Sequence, residues 1–308
     1  MKPALAATRA MAVLNFMMVQ PRLSFSLSEL SKALDVSPAS MSSVLMALCD
    51  AGYLFRHPRH RTYELGPALV AAGHSAAQRH PQIEAARPEM TRLASVVGGE
   101  CIGSAAVGED IMILSIEGRP NGRTRQSWIG QRIPLMPPFG QVFLAWSSES
   151  TVDKWIARLG RVEPHIRDEL RISLEEVRTR GLAVGLHNDP VDEVVGLIHE
   201  SAEHPSQIHD RLIEAIPGQM SGYTLRSIDL EARYDVANLA VPVFGPDGSV
   251  VFAMTVYGLA GITGSDLVDL SGEMLSSSRI VTREIGGRAP SVPAPSATMK
   301  VPQLHGGA

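Results

Sequence analysis

"SLSELSKALDVSPASMSSVLMALCDAGYLFRHPRHRTYELG", residues 26–66, sets two short helices and a hairpin in one stretch of chain. Ser26 and Glu29 have the spacing of a capping box, in which each side chain satisfies a free N–H at a helix start. Leu27, Leu30 and Leu34 then fall on one face. Val36 and Ser37 interrupt the pattern. Ser37 is placed as an N-cap and Pro38 at the first helical position, where a missing N–H does no harm. The next helix is expected over 38–51, burying Met41, Val44, Leu45 and Leu48, with Gly52 closing it. Two strands follow, at 53–55 and 62–65. Between them the turn gathers Arg56, His57, Pro58, Arg59, His60 and Arg61.

Upstream, residues 5–19 read as a helix stopped by Pro21. From 10 to 19 that helix is apolar on nearly every face except at Asn15, so it needs cover on more than one side, and a partner chain is an expected source of that cover. Helix, helix, tight turn, helix and hairpin together describe a winged helix-turn-helix, whose last helix enters the major groove while the hairpin lies beside the phosphates. Alone, the basic turn would read as a solvated loop. Placed directly after two capped helices it reads as a DNA-binding wing, with Arg56, Arg59, Arg61 and His60 where each cation displaces condensed counterions. His57 and His60 add charge only when protonated. The outward positions of the preceding helix, Ala39, Ser40, Ser42 and Ser43 beside the cap Ser37, can bond a base edge or phosphate or touch a thymine methyl. No basic residue lies between 36 and 51, so base reading is expected to be modest, with DNA shape contributing.

The whole chain has 308 residues and a formal charge of -4, enough length for two domains. Its charge is divided. Residues 1–80 hold eight basic side chains (Lys2, Arg9, Arg22, Lys32, Arg56, Arg59, Arg61, Arg79) against four acids (Glu29, Asp35, Asp50, Glu64), a balance of +4 that leaves -8 for the remainder. This asymmetry points the first part toward a polyanion. Two cysteines, Cys49 and Cys101, form neither a disulfide framework nor a metal-ligand spacing, which fits a reducing cytoplasm. The apolar run near the start is broken by Arg9 and Asn15 and is followed by no cleavage pattern, and no stretch approaches the ~18 apolar residues that cross a bilayer.

Beyond 66 the Ala-rich segment 67–80 reads as a linking helix, followed by a helix over 81–97 that Gly98 and Gly99 close. Hairpins are expected at 101–117 around "GED" and at 236–257 around "GPDG". Helical stretches are expected near 139–147, 151–159 and 164–180, and a final helix capped by Thr263 runs to about 285. Strands mixed with helices imply an α+β region with a mostly antiparallel sheet. The segment 287–308 is Pro-, Gly- and Ala-rich and is expected to be disordered. The sequence contains no nucleophile-elbow, P-loop or dinucleotide pattern. His199, His204 and His209 recur every five residues, which does not align them as metal ligands. An enzyme is not expected, and no cofactor or metal is called for.

These residues resemble the IclR family of bacterial transcription regulators. The resemblance rests on "RAMAVLNFM", the 26–66 stretch with its "YELG" end, "AARPEMTRLASVVG", "IPLMPPFGQVFLAW" and "ANLAVPVFGPDGSVVFAMTVYG". It implies a winged helix-turn-helix over 1–66, a linker helix over 67–80, a GAF-like α/β effector-binding domain over 81–286 and a tail over 287–308. It further implies a homodimer or tetramer on a pseudo-palindromic double-stranded operator, with no membrane partner. The family pattern places effector contacts at Phe139, Gly140 and Gln141 and at Asp235, Asn238, Thr255 and Tyr257. Pro137 and Pro138 have no N–H to give, and Tyr257 is larger than the small hydroxyl residue usual there. Both departures favour an aromatic ligand, or one larger than a two- or three-carbon acid. The family usually carries a basic residue near Ser43, which this chain lacks. Residues 187–230 fit the pattern least. Two other readings stand beside this one: a GntR-like regulator with a different sensor, and a small-molecule sensor or enzyme whose winged helix docks a protein.

Overall fold

The computed structural model describes residues 4–120, 127–187 and 228–290, with single positions at 196 and 225. The expectations for most of 187–230, including the three spaced histidines, and for 291–308 lie outside the described residues.

The chain opens with α1 (Leu5–Val19), β1 (Phe25–Ser26), α2 (Leu27–Ala33), α3 (Pro38–Asp50), β2 (Leu54–Arg56) and β3 (Thr62–Leu65). Local chemistry accounts for most of these boundaries. The capping box on α2 is complete: the Ser26 N–H donates to Glu29 Oε2 at 2.7 Å and the Glu29 N–H to Ser26 Oγ at 3.3 Å. Ser37 caps α3, its Oγ accepting from the Ser40 N–H, and Pro38 occupies the first turn. Met41, Val44, Leu45 and Leu48 are buried from α3 against Val13, Leu14, Phe16 and Met17 of α1. Each such side chain, fully removed from water, contributes about 1.5–3 kcal/mol. β1 joins β3 on the side away from β2, so the hairpin is the outer part of a three-stranded sheet.

The second part begins with α4 (Ala68–Ala77), which buries no residue, and α5 (Pro81–Val97). The hairpin β4 (Glu100–Val107) and β5 (Asp110–Gly118) follows, then β6 (Arg132–Pro134), α6 (Gln141–Leu144), α7 (Glu149–Ala157), α8 (Pro164–Arg180), β7 (Ala183–Leu186), β8 (Arg233–Phe244), β9 (Val250–Thr263) and α9 (Gly264–Glu284). The six strands form one antiparallel sheet in the order β6-β5-β4-β9-β8-β7. The helix expected over 139–147 is only the single turn α6, because Gly140 stands at φ 84° as its N-cap.

Alternation along the strands divides the sheet's two faces. Leu239, Val241 and Val243 of β8 and Phe252, Met254 and Val256 of β9 pack with Met90 and Leu93 of α5 and Leu267 and Met274 of α9. The intervening Ala240 and Ala253 face the other way, toward Phe143 of α6, Trp155 of α7 and Leu174 of α8. An arginine ties the first layer together: Arg92 of α5 reaches Glu273 at 2.5 Å and Ser277 at 2.8 Å on α9. No helix among the described residues is long and apolar enough to cross a membrane.

Candidate nucleic-acid interface and ligand cavity

The turn between β2 and β3 is held from within by a histidine. The His57 N–H donates to the Thr62 carbonyl at 2.8 Å, and the Arg61 N–H to the His57 carbonyl at 3.0 Å. His57 Nδ1 accepts from the N–H groups of Arg59 and His60 at 3.3 and 3.2 Å, so the ring carries its proton on Nε2. The His60 ring stacks on His57 with centroids 4.5 Å apart.

Around this scaffold Arg56, Arg59, His60 and Arg61 are all exposed. Among the described residues none of the three guanidinium groups is ion-paired, whereas Arg87, Arg92, Arg132, Arg158, Arg171 and Arg180 all are. Arg56 lies over the Tyr63 ring at 5.8 Å, which orients it without neutralising it. Arg61 takes a left-handed backbone, φ 54°.

The face of α3 is more selective than its composition implied. Ser37 Oγ donates to Ser40 Oγ at 3.1 Å, and Ser43 Oγ to the Ala39 carbonyl at 3.2 Å, so three of the four serine hydroxyls are engaged within the helix. Ser42 and Ala39 are exposed. Met46, overlooked in the sequence because methionine reads as core, is 62% exposed and lies one turn beyond Ser42 and Ser43 on the same face.

The second site is a cavity of about 90 Å³ on the sheet face that carries α6, α7 and α8. Its floor is laid by strand register. Ile102, Thr255, Ala240 and Ala183 are successive cross-strand partners over β4, β9, β8 and β7. Tyr257, Asn238 and Gly185 form the adjacent row. Space remains because Ala183, Gly185 and Ala240 are small. Ile111, Ile113 and Ile133 wall one side, and the roof is the loop through Pro138, Phe139, Gly140 and Gln141. Trp155 Nε1 donates to the Phe139 carbonyl at 3.0 Å and anchors that roof. Gly140 stands at φ 84°, a backbone conformation that favours glycine, and a Cβ there would also crowd the end of the Leu135 side chain.

The structure thus gathers Phe139, Gly140, Gln141, Asn238, Thr255 and Tyr257 around one space. It does not bring Asp235 to them. Both strands break their alternation at this level, since Val236 and Leu239 of β8 and Val256 and Leu259 of β9 share one face. Asp235 lies beyond this break, with its carboxylate accepting from the Gly261 N–H at 3.1 Å. The expected cradle of backbone donors also contracts. The Phe139 N–H is spent on the Met136 carbonyl at 2.8 Å, and α6, with 4 residues, is too short to present a helix N-terminus to an anion. Among the described residues no charged side chain lines the cavity, and the polar groups there are Ser104, Gln141, Asn238, Thr255 and Tyr257. Ser104 went unnoticed because its strand position is fixed only by pairing with β9.

Nearby, Cys101 faces α5 and α9 with the buried core, and burial, reinforced by Glu117, pushes its thiol up to about 12. It stays a thiol at neutral pH and is no nucleophile. Among the described residues no cluster of His, Cys, Asp or Glu is arranged to hold a metal.

Comparison with known proteins gives this architecture a context. Residues 74–192 match the family model for the C-terminal domain of the bacterial transcriptional regulator IclR. Over 129 residues the chain is 28% identical to the HTH-type transcriptional regulator XynR of Escherichia coli (strain K12), covering 41% of this chain and 51% of XynR. The chain therefore spans about half the length of this curated relative. An IclR transcriptional regulator from Alicyclobacillus acidocaldarius superposes with a TM-score of 0.64 at 19% identity, over 92% of this chain and 100% of that one. An IclR homolog from Microbacterium hydrocarbonoxydans, solved in complex with 4-hydroxybenzoate, gives 0.63 at 13% identity, over 91% and 98%. At these identities the structural likeness is one of fold.

Proposed function

We propose that the chain, whose residues 74–192 match the family model for the C-terminal domain of IclR, is a ligand-responsive, DNA-binding transcriptional regulator of that family. In this reading residues 1–66 are the winged helix-turn-helix, 67–80 the linker helix and 81–286 the effector-binding domain. The observation that carries it is the set of three guanidinium groups, Arg56, Arg59 and Arg61, held out on one turn without a carboxylate among the described residues, beside an exposed face of α3. Arginines in that state lose little on meeting phosphate, and each releases counterions when it does. Helix α3 then enters the major groove, where Ala39, Ser42 and Met46 meet base edges and thymine methyls. Two copies, joined in part through the apolar face of α1 where Leu5 and Met11 remain exposed, bind a pseudo-palindromic operator.

The effector occupies the cavity over Thr255 and Ala240. With about 90 Å³ available, against the ~150 Å³ of a cavity known to admit benzene, it is a molecule of about one ring or less. With no cation among the described residues of the walls, a buried carboxylate would be poorly compensated, so its polar groups are hydroxyls or amides. Binding favours one arrangement of the two reading heads and changes operator affinity by its differential binding to the two states. The 4-hydroxybenzoate of the Microbacterium homolog is a single-ring molecule of the same order of size, but it carries the carboxylate that these walls do not compensate.

Recovery of bound fragments from the host's own DNA, followed by titration at two salt concentrations, tests the proposal. A defined set of fragments and a steep loss of affinity with salt are expected. Salt-insensitive binding, or no preference among fragments, would turn the exposed Met46 face of α3 into a protein-docking surface instead and end the gene-control reading.

A further inference from the structure

A second and larger space, about 370 Å³, lies against the end of β8 and the C-terminal half of α9. It shares no lining residue with the cavity over Thr255. Its apolar surface is aromatic at one end: Trp146 and Phe244 meet edge to face, with centroids 5.1 Å apart and planes at 87°. Pro242, Leu275 and Pro290 extend that surface.

Two features there call for an anion. Arg279 and Arg283 both line the space, one helical turn apart on α9, both exposed and neither ion-paired among the described residues. Like charges at this spacing repel each other. Arginines elsewhere on the helices are paired instead, Arg87 with Glu84, Arg92 with Glu89 and Glu273, and Arg171 with Glu149 and Asp153. Attraction to the carbonyl end of α9 accounts for Arg283, in the last turn, but not for Arg279, outside it.

The other feature is Thr282, between them, which is 6% exposed. Its Oγ1 accepts from the Phe244 N–H at 3.1 Å, but its own hydroxyl hydrogen finds no acceptor among the described residues. The neighbouring Ser278 hydroxyl is already committed to the Pro242 carbonyl at 2.5 Å. A buried donor left without an acceptor is costly, and a ligand oxygen in this space would satisfy it.

We propose that this space is a second ligand site, for a small monocarboxylic acid with a single-ring apolar body. The ring lies on Trp146 and Phe244, the carboxylate bridges Arg279 and Arg283, and Thr282 donates to one of its oxygens. The two cavities thus differ in chemistry: a neutral ligand over Thr255, an anionic one beside α9. This assignment does not depend on the protein binding DNA.

Benzoate and benzamide, titrated into the full-length protein by calorimetry and by tryptophan fluorescence, provide the test. Benzoate should change the emission, the change should vanish in Trp146→Phe, and the Arg279→Gln/Arg283→Gln variant should bind benzoate at least tenfold more weakly. Benzamide should bind the unaltered protein weakly, and Ala240→Leu, which fills the other cavity, should leave benzoate binding here unchanged. Both arginines are exposed, so the double variant should keep its melting temperature. The proposal is overturned if benzoate does not bind, or if the double variant binds it as the unaltered protein does. It also fails if Ala240→Leu abolishes all benzoate binding, or if binding appears only after residues 291–308 are removed.

Discussion

The wing and the cavity over Thr255 use polar chemistry in opposite ways. On the wing three arginines stand in water with no carboxylate partner among the described residues, and their charge is available at range. In the cavity no ionic group among the described residues lines the walls, and selectivity falls to hydroxyls, amides and the shape left by Ala183, Gly185 and Ala240. The first kind of surface gains from long-range attraction that salt screens; the second gains from close fit, which salt barely touches. A regulator of this design keeps its two responses separable, because the conditions that weaken one leave the other in place.

The largest effect that could break this contrast comes from replacing Arg56, Arg59 and Arg61 together with glutamine. Loss of three phosphate contacts should flatten the slope of log affinity against log salt by about 2.7 for each DNA-bound protomer, at ~0.9 per contact, with effector binding unchanged in calorimetry. An unaltered slope would remove the wing from the DNA. At the cavity, Ala240→Leu should abolish effector binding while fragment binding in the absence of effector persists; overpacking should lower stability by about 1–3 kcal/mol, read as a shift in urea midpoint. Should the effector still bind, the ligand lies elsewhere.

A smaller effect sharpens the picture of α3. Met46→Ser should change the preferred bases in a selection experiment while leaving the salt slope as it was, since methionine contributes apolar contact and no charge. Arg61→Gly isolates charge from fold. Glycine accepts the φ of 54° without the side-chain clash, so thermal stability should hold or rise slightly while the salt slope falls by about 0.9.

The smallest expected effect concerns pH. The Ser26 N–H, and then its hydroxyl, hold the Glu29 carboxyl below its ordinary range. A lowered folded-state value means that the capping contact stabilises α2 above the unfolded carboxyl's titration and is lost as pH falls through the lower folded value. Glu29→Gln should therefore flatten the acid side of a stability-against-pH profile. Ser26→Ala should cost about 1 kcal/mol across the neutral range.

Local signals in the chain determined most of the first 66 residues. Ser26 with Glu29, Ser37 with Pro38, and the glycine after α3 each act on backbone groups within a few residues, so their consequences follow without knowledge of the rest. For the same reason α8 begins at Pro164 and α9 follows the Thr263 cap as their spacing predicts. The short strands β1, β6 and β7 were not legible, because a strand of two to four residues is defined by its partner and not by its own composition. The ligand cavity depended on the same non-local facts. Ile102, Thr255, Ala240 and Ala183 become neighbours only through register across four strands, and Asp235 lies further along β8, bonded to the Gly261 N–H and outside the cavity lining. The Phe139 N–H and the hydroxyls of Ser37, Ser40 and Ser43 were likewise committed by hydrogen bonds that composition does not reveal. Residue type and short-range spacing therefore settled which helices form and where charge collects. Packing and register decided which side chains share a space and which polar groups remain free to bind, since both are properties of pairs that sequence separation does not encode.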